Sequence, residues 1–196
     1  MKASKCLCVV LIAGVFSGSV SAGTLSFDLV ESGGFTTLTV SGSLSTLSGW
    51  NFVTDFQTSN PGIQPSRAYT GSFRPSGTAS FYTRTSTPPS SIGSSSSIYV
   101  GNGISGDNVG FQASSAGSDA YLFLPQGYVP GSPINSSSSF NFTLSAMGLT
   151  PGTFYSWIYG IDTVAINVVP EPSTYAMALA GLACGGYSMW RRRKRA

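Results

Sequence analysis

The chain has 196 residues, of which 41% are hydrophobic and 9% charged, with three cysteines and no histidine. Without imidazole, Ser-His-Asp and Cys-His nucleophile systems are excluded. The formal charge of +3 comes from the two ends, because between residues 23 and 168 Arg67, Arg74 and Arg84 face Asp28, Glu31, Asp55, Asp107, Asp119 and Asp162. That mildly acidic middle speaks against nucleic acid as a partner.

Residues 1–22 read as a signal peptide. Lys2 and Lys5 precede an apolar run from Cys6 to Phe16, and Val20-Ser21-Ala22 fits the small-x-small cleavage pattern. Passage through the secretion machinery and cleavage by signal peptidase between Ala22 and Gly23 are therefore expected. Cys6, Cys8 and Cys184 all fall outside 23–168, and so does every lysine. The mature body thus has no disulfide, no Schiff-base lysine and no Cys/His zinc site, and its fold must rest on an apolar core.

Residues 23–168 form one body. "TLSFDLV" alternates Leu25, Phe27 and Leu29 with polar neighbours, and "GFTTLTVSGSL" repeats the pattern with Phe35, Leu38 and Val40. Further strands are expected at 50–56, 68–73, 78–85, 97–100, 109–113, 120–124, 140–147, 154–161 and 164–168. Short alternating runs at such spacing, separated by Gly, Ser, Pro and Asn, predict an all-β fold: a single antiparallel β-sandwich or jelly-roll-like domain. An N-terminal signal helix and a C-terminal transmembrane helix should flank it. The low-complexity stretches at 86–97 ("STPPSSIGSSSS") and 135–139 ("NSSSS") read as loops.

Chemistry is scarce in this body. A glycosidase needs two carboxylates facing one bond, and no local signature selects a pair. "GNGISG" matches G-x-G-x-x-G at Gly101, Gly103 and Gly106, but "DNVGFQASS" follows it where a dinucleotide site needs a helix. A glycine-rich β-turn explains it. Asn102, Asp107 and Asn108 lack the spacing of a calcium loop. No catalytic residue, metal or cofactor is expected, and the protein is expected not to be an enzyme. Tyr155, Trp157 and Tyr159 share one face of a strand and are candidate glycan contacts, since amphipathic rings stack on sugars and still hydrogen-bond; core packing is the competing reading.

Residues 169–196 form a tail. Val169 and Glu171 precede Pro170 and Pro172, which forces an extended strip, and Ser173 follows. The apolar stretch beginning at Tyr175 and ending at Trp190 spans roughly 24 Å as a helix, short of a ~30 Å hydrocarbon core unless the interfacial aromatics and flanking arginines make up the difference. Arg191, Arg192, Arg193, Lys194 and Arg195 would remain cytoplasmic by the positive-inside rule.

Val169-Pro170-Glu171-Pro172-Ser173, the apolar helix and the terminal basic cluster together resemble the PEP-CTERM sorting tail of Gram-negative bacteria. The resemblance implies recognition by exosortase, a membrane-embedded cysteine transpeptidase, and transient residence in the inner membrane before delivery to the cell surface or extracellular matrix. Such tails accompany exopolysaccharide production. Leu124-Pro125, Gly127-Tyr128, the run from Gly148 to Thr153, Trp157, Gly160, Asp162 and Asn167 are also similar to the membrane-proximal half of small PEP-CTERM proteins, which implies shared architecture and no activity. The expected role is structural or adhesive, in association with exopolysaccharide. A carbohydrate-binding module would need exposed aromatics on one sheet face, a hydrolase two facing carboxylates, and an ice-binding protein a flat threonine array.

Overall fold

The computed structural model describes residues 22–86, 88, 90–113 and 119–170, together with 179 and 182. The described chain is built of β-strands: β1 (Thr24–Ser32), β2 (Phe35–Gly42), β3 (Asn51–Gln57), β4 (Gly62–Gln64), β5 (Tyr69–Ser72), β6 (Thr78–Thr85), β7 (Tyr99–Val100), β8 (Asn102–Gly106), β9 (Val109–Ala113), β10 (Asp119–Pro125), β11 (Ile134–Phe140), β12 (Phe154–Tyr159) and β13 (Asp162–Val169). They assemble into a six-stranded sheet ordered β12-β13-β1-β2-β11-β8 and a seven-stranded sheet ordered β3-β6-β10-β9-β5-β4-β7.

Period-2 alternation decides which side chains meet. Leu25, Phe27 and Leu29 of β1 are fully buried beside Leu38 and Val40 of β2, and Leu122 and Leu124 of β10 with Phe111 of β9 line the opposite sheet. Two sheets sealed by such inward rows make a sandwich core. Leu44, Ile92, Leu144, Met147 and Leu149 enter it from connections between strands.

Four expectations are corrected. The sandwich is not purely antiparallel: β1 and β13 pair in parallel, from Thr24 opposite Thr163 to Val30 opposite Val169. A tight hairpin demands antiparallel neighbours, but strands far apart in the chain are free of that constraint. The stretch 135–139 is not a loop. It forms most of β11, because Ile134 and Phe140 anchor its ends in the core while Ser136 and Ser138 between them are also buried. The Ser136 and Ser72 hydroxyls meet at 2.7 Å, joining the two sheets across the interior. The strand expected at 140–147 consequently stops at Phe140, and the following turns place Leu144 in the core with its N–H donated to Glu31 Oε2 at 2.8 Å. Similarly, "GNGISG" is an edge strand, β8, paired with β11. No strand occupies the described part of 86–97, as the composition suggested.

Most of the signal segment and of the stretch from Tyr175 to Trp190 lies outside the described residues; Leu179 and Leu182 are helical and exposed. Among the described residues no helix is long and apolar enough to cross a membrane.

Candidate functional site

The outer side of the seven-stranded sheet carries an unusual pair of features, glycines in register and rings lying over them. Gly62 of β4 sits opposite Gly71 of β5, which sits opposite Gly110 of β9. A Cβ at Gly71 would overlap the Phe73 ring, one at Gly110 would lie 2.6 Å from Phe73 Cζ, and one at Gly62 would lie 3.0 Å from Tyr69 Cε1. The absence of side chains on three adjacent strands is therefore what lets these rings lie against the backbone. Alternation on β10 buries Leu122 and Leu124 and turns Tyr121 and Phe123 outward. Phe123 stacks on Phe81 of β6 at 5.2 Å between centroids and meets Phe56 and Phe73 edge-on, each at 5.6 Å.

Beside this aromatic floor opens a trough of about 440 Å³. Phe56, Tyr69, Phe73 and Phe123 line it from the rings' side, Ile98 and Val100 from the far edge, and Gln64, Arg67, Gln112 and Asn60 supply polar groups. Burial pushes the Tyr69 phenol up to about 12, so it is a neutral hydroxyl at any physiological pH. Gln64 donates to the Ser96 carbonyl at 2.9 Å. Among the described residues, nothing pairs with the Arg67 guanidinium, which leaves its planar fork available to a carboxylate or hydroxyls.

Among the described residues, no acidic side chain lines the trough. Three acids of the body are occupied elsewhere: Asp55 accepts from Ser80 and Gln126, Asp107 from the Asn135 N–H, and Asp28 from Ser26 and Asn167. Asn108 is likewise committed, accepting from the Arg74 N–H and donating to the Thr78 carbonyl. Among the described residues there is no group of three or more His, Cys, Asp or Glu that could hold a metal. The geometry suits recognition by stacking and hydrogen bonding.

The aromatic row named from sequence lies elsewhere. Tyr155, Trp157 and Tyr159 do share a face, but it is the inner one: Trp157 is 8% and Tyr159 3% exposed, and Tyr155 packs against the same core. Trp157 lies 5.0 Å from Phe111, and Tyr159 4.9 Å from Trp50. A ring enclosed in this way has no face to offer a sugar. Phe154 and Ile158 on the reverse of β12 are exposed. Of the three arginines, Arg84 lies over the Tyr159 ring, and only Arg67 reaches the trough. The sequence held a signal for the trough in "AYLFLP", where both classes of alternating residue are large and apolar, so one must face outward.

At the ends of the body, Ala22 is exposed and Gly23 buried, while Val169 closes β13 and Pro170 follows it. Glu171, Pro172, Ser173 and the basic cluster Arg191, Arg192, Arg193, Lys194 and Arg195 lie outside the described residues. The family model described as the PEP-CTERM protein-sorting motif matches residues 168–194. Searches of curated proteins and of solved structures gave no match. The motif implies export and processing by exosortase, so this chain is an exported protein that carries a PEP-CTERM sorting motif and is addressed to the cell surface.

Proposed function

We propose that the mature protein is a structural or adhesive component of the cell surface or extracellular matrix that contacts secreted polysaccharide through the trough on the seven-stranded sheet. The observation that carries this reading is the aromatic floor of Phe56, Phe73 and Phe123 beside Arg67 and the glutamines. Sugar rings present apolar C–H faces between hydroxyls, and aromatic rings flanked by amides match both. An unpaired guanidinium adds a preference for carboxylated sugars, because arginine binds carboxylates through two parallel hydrogen bonds. Signal peptidase releases Gly23, the tail holds the protein in the inner membrane until exosortase acts near Pro170-Glu171-Pro172, and the body then reaches its polysaccharide. A carbohydrate-binding module is the nearest alternative and differs only in whether binding serves another activity. Nothing favours a hydrolase, and the Thr37/Thr39 pair is too small to form an ice-binding plane.

The test joins binding to sorting. Purified protein is run through gels containing the host's exopolysaccharide, and retardation should be lost in Phe56→Ala/Phe123→Ala. Cell fractionation of Pro170→Ala/Pro172→Ala should show the protein retained with full-length mass. Equal retardation of the wild type and the aromatic double variant would remove the trough from the reading, and normal sorting of the proline variant would remove the tail.

A further inference from the structure

At the start of the body, burial changes within one peptide unit. Ala22 is exposed, whereas Gly23 is buried. The Gly23 N–H donates to Asp162 Oδ1 at 2.7 Å, and its carbonyl accepts from the Thr163 N–H at 2.9 Å. Asp162 is itself buried, at 1% exposed. Its Oδ1 also accepts from the Ser45 hydroxyl, and its Oδ2 from the Thr46 N–H at 3.0 Å. This is a buried carboxylate surrounded by neutral donors, a situation that ordinarily calls for a cation. Glycine alone fits opposite it, since a Cβ at position 23 would lie 2.5 Å from the Ser43 carbonyl oxygen and 2.8 Å from the Ser45 nitrogen.

The donor facing Asp162 is the nitrogen that the small-x-small pattern places just after the scissile bond. Hydrolysis of that bond consumes one water and yields an Ala22 carboxylate, which departs with the signal segment, and a Gly23 amine, which takes up a proton at neutral pH. We propose that Asp162 is a built receptor for the α-ammonium group of Gly23, so that export processing converts a neutral hydrogen bond into a buried ion pair. The proposal rests on the export reading above. The same N···O contact then carries a full positive charge, and charge-assisted hydrogen bonds are roughly twice as strong as neutral ones.

The site has a distinctive pH signature. An amine that gains a carboxylate partner on folding has its folded value raised above the unfolded value of about 8. Its contribution is complete below about pH 8 and is lost as pH rises through the folded value. The other titratable and charged groups here are Tyr128, whose hydroxyl accepts from the Leu44 N–H, and Tyr159 with Arg84 over its ring. Burial raises Tyr128 above 10 and pushes Tyr159 up to about 12, so both stay neutral while the amine titrates.

The experiment compares two chains, both ending naturally at Ala196 and both in a mild non-ionic detergent. One begins at Gly23 and the other retains Val20-Ser21-Ala22. Urea unfolding at pH 7 should show a folding constant about tenfold larger for the chain beginning at Gly23, the equivalent of one pKa unit. The advantage should fade above pH 9 and be absent in Asp162→Asn. Should that variant fail to fold, NMR titration of the Gly23 amine in the wild-type chain reads the same quantity. Equal stability of the two chains at pH 7, or an amine titrating at its ordinary value, would overturn the site. Intact mass of the native protein is read alongside, and a first residue other than Gly23 overturns the processing step instead. Neither result depends on whether the trough binds polysaccharide.

Discussion

On the outer side of the six-stranded sheet, Thr37, Thr39 and Ser41 of β2 stand opposite Ser139, Ser137 and Asn135 of β11, with Asp28 and Ser26 of β1 opposite Thr39 and Ser41. On the outer side of the seven-stranded sheet, Phe81 stands opposite Phe123 and Thr83 opposite Tyr121. Both faces have hollows of similar size: grooves of about 390 and 290 Å³ among the hydroxyls, and 440 Å³ beside the rings. Volume does not separate them. Small hydroxyls exchange one set of hydrogen bonds for another when a ligand displaces water, and the net gain per bond is only about 1 kcal/mol. Aromatic rings add the burial of apolar area at roughly 25 cal/mol per Å². On that arithmetic a weakly polar ligand would gain more free energy on the aromatic face than on the hydroxyl face.

The sharpest break in this contrast is Gly71→Ala. The added methyl group overlaps the Phe73 ring, and overpacking of that kind costs about 1–3 kcal/mol. Urea unfolding should show that loss, and retardation in polysaccharide gels should fall with it as the floor is displaced. Phe123→Ala removes the ring that stacks on Phe81. Binding should weaken by about tenfold or more, since an aromatic contact is worth 0.5–1.5 kcal/mol beyond its buried area, roughly. Arg67→Gln should leave neutral glucans bound as before while weakening uronate-containing chains several-fold, which parallel gels would resolve. At the small end, Thr39→Lys on the hydroxyl face should shift stability by no more than about 0.5 kcal/mol and leave binding unchanged. A large loss of binding there would reverse the assignment of the two faces.

Acid offers a separate probe of the sheet that carries the hydroxyls. Burial tends to raise Asp162, but the hydrogen bonds from Ser45 and from the backbone N–H groups of Gly23, Thr46 and Ser45 prevail, and its carboxyl lies below the ordinary 3.8. A depressed folded value means stability that is present above about pH 4 and is lost as pH falls through the folded value. The urea-unfolding midpoint of Asp162→Asn should therefore fall less than that of the wild type as pH is lowered below 4.

The sequence was most readable where alternation was clean. Leu25, Phe27 and Leu29 announced β1, and Leu122 and Leu124 announced β10. It misled at "INSSSSF", where serine suggests a loop, because nothing local reveals that a partner sheet offers Ser72 to a buried Ser136. The aromatic row on β12 was readable as a row, but the face it turns inward depends on where β13 pairs, a contact made between distant parts of the chain. The trough was the least readable. Its floor needs Gly62, Gly71 and Gly110 to align across β4, β5 and β9, and each glycine alone looks like any turn or bulge residue. The sorting motif was legible, since its signals lie in consecutive residues.

β13 lies between β1 and β12, runs to Val169, and holds Val168 in the core. The sorting motif begins at residue 168. The address and the fold thus share their boundary residues, with no spacer between them. Drawing the chain further into an enzyme than Pro170 would mean unzipping an interior strand held on both edges, so the folded body would limit how far the tail can be drawn in. Removal of the tail beyond that limit leaves both ladders of β13 whole, and the domain is released without a frayed end.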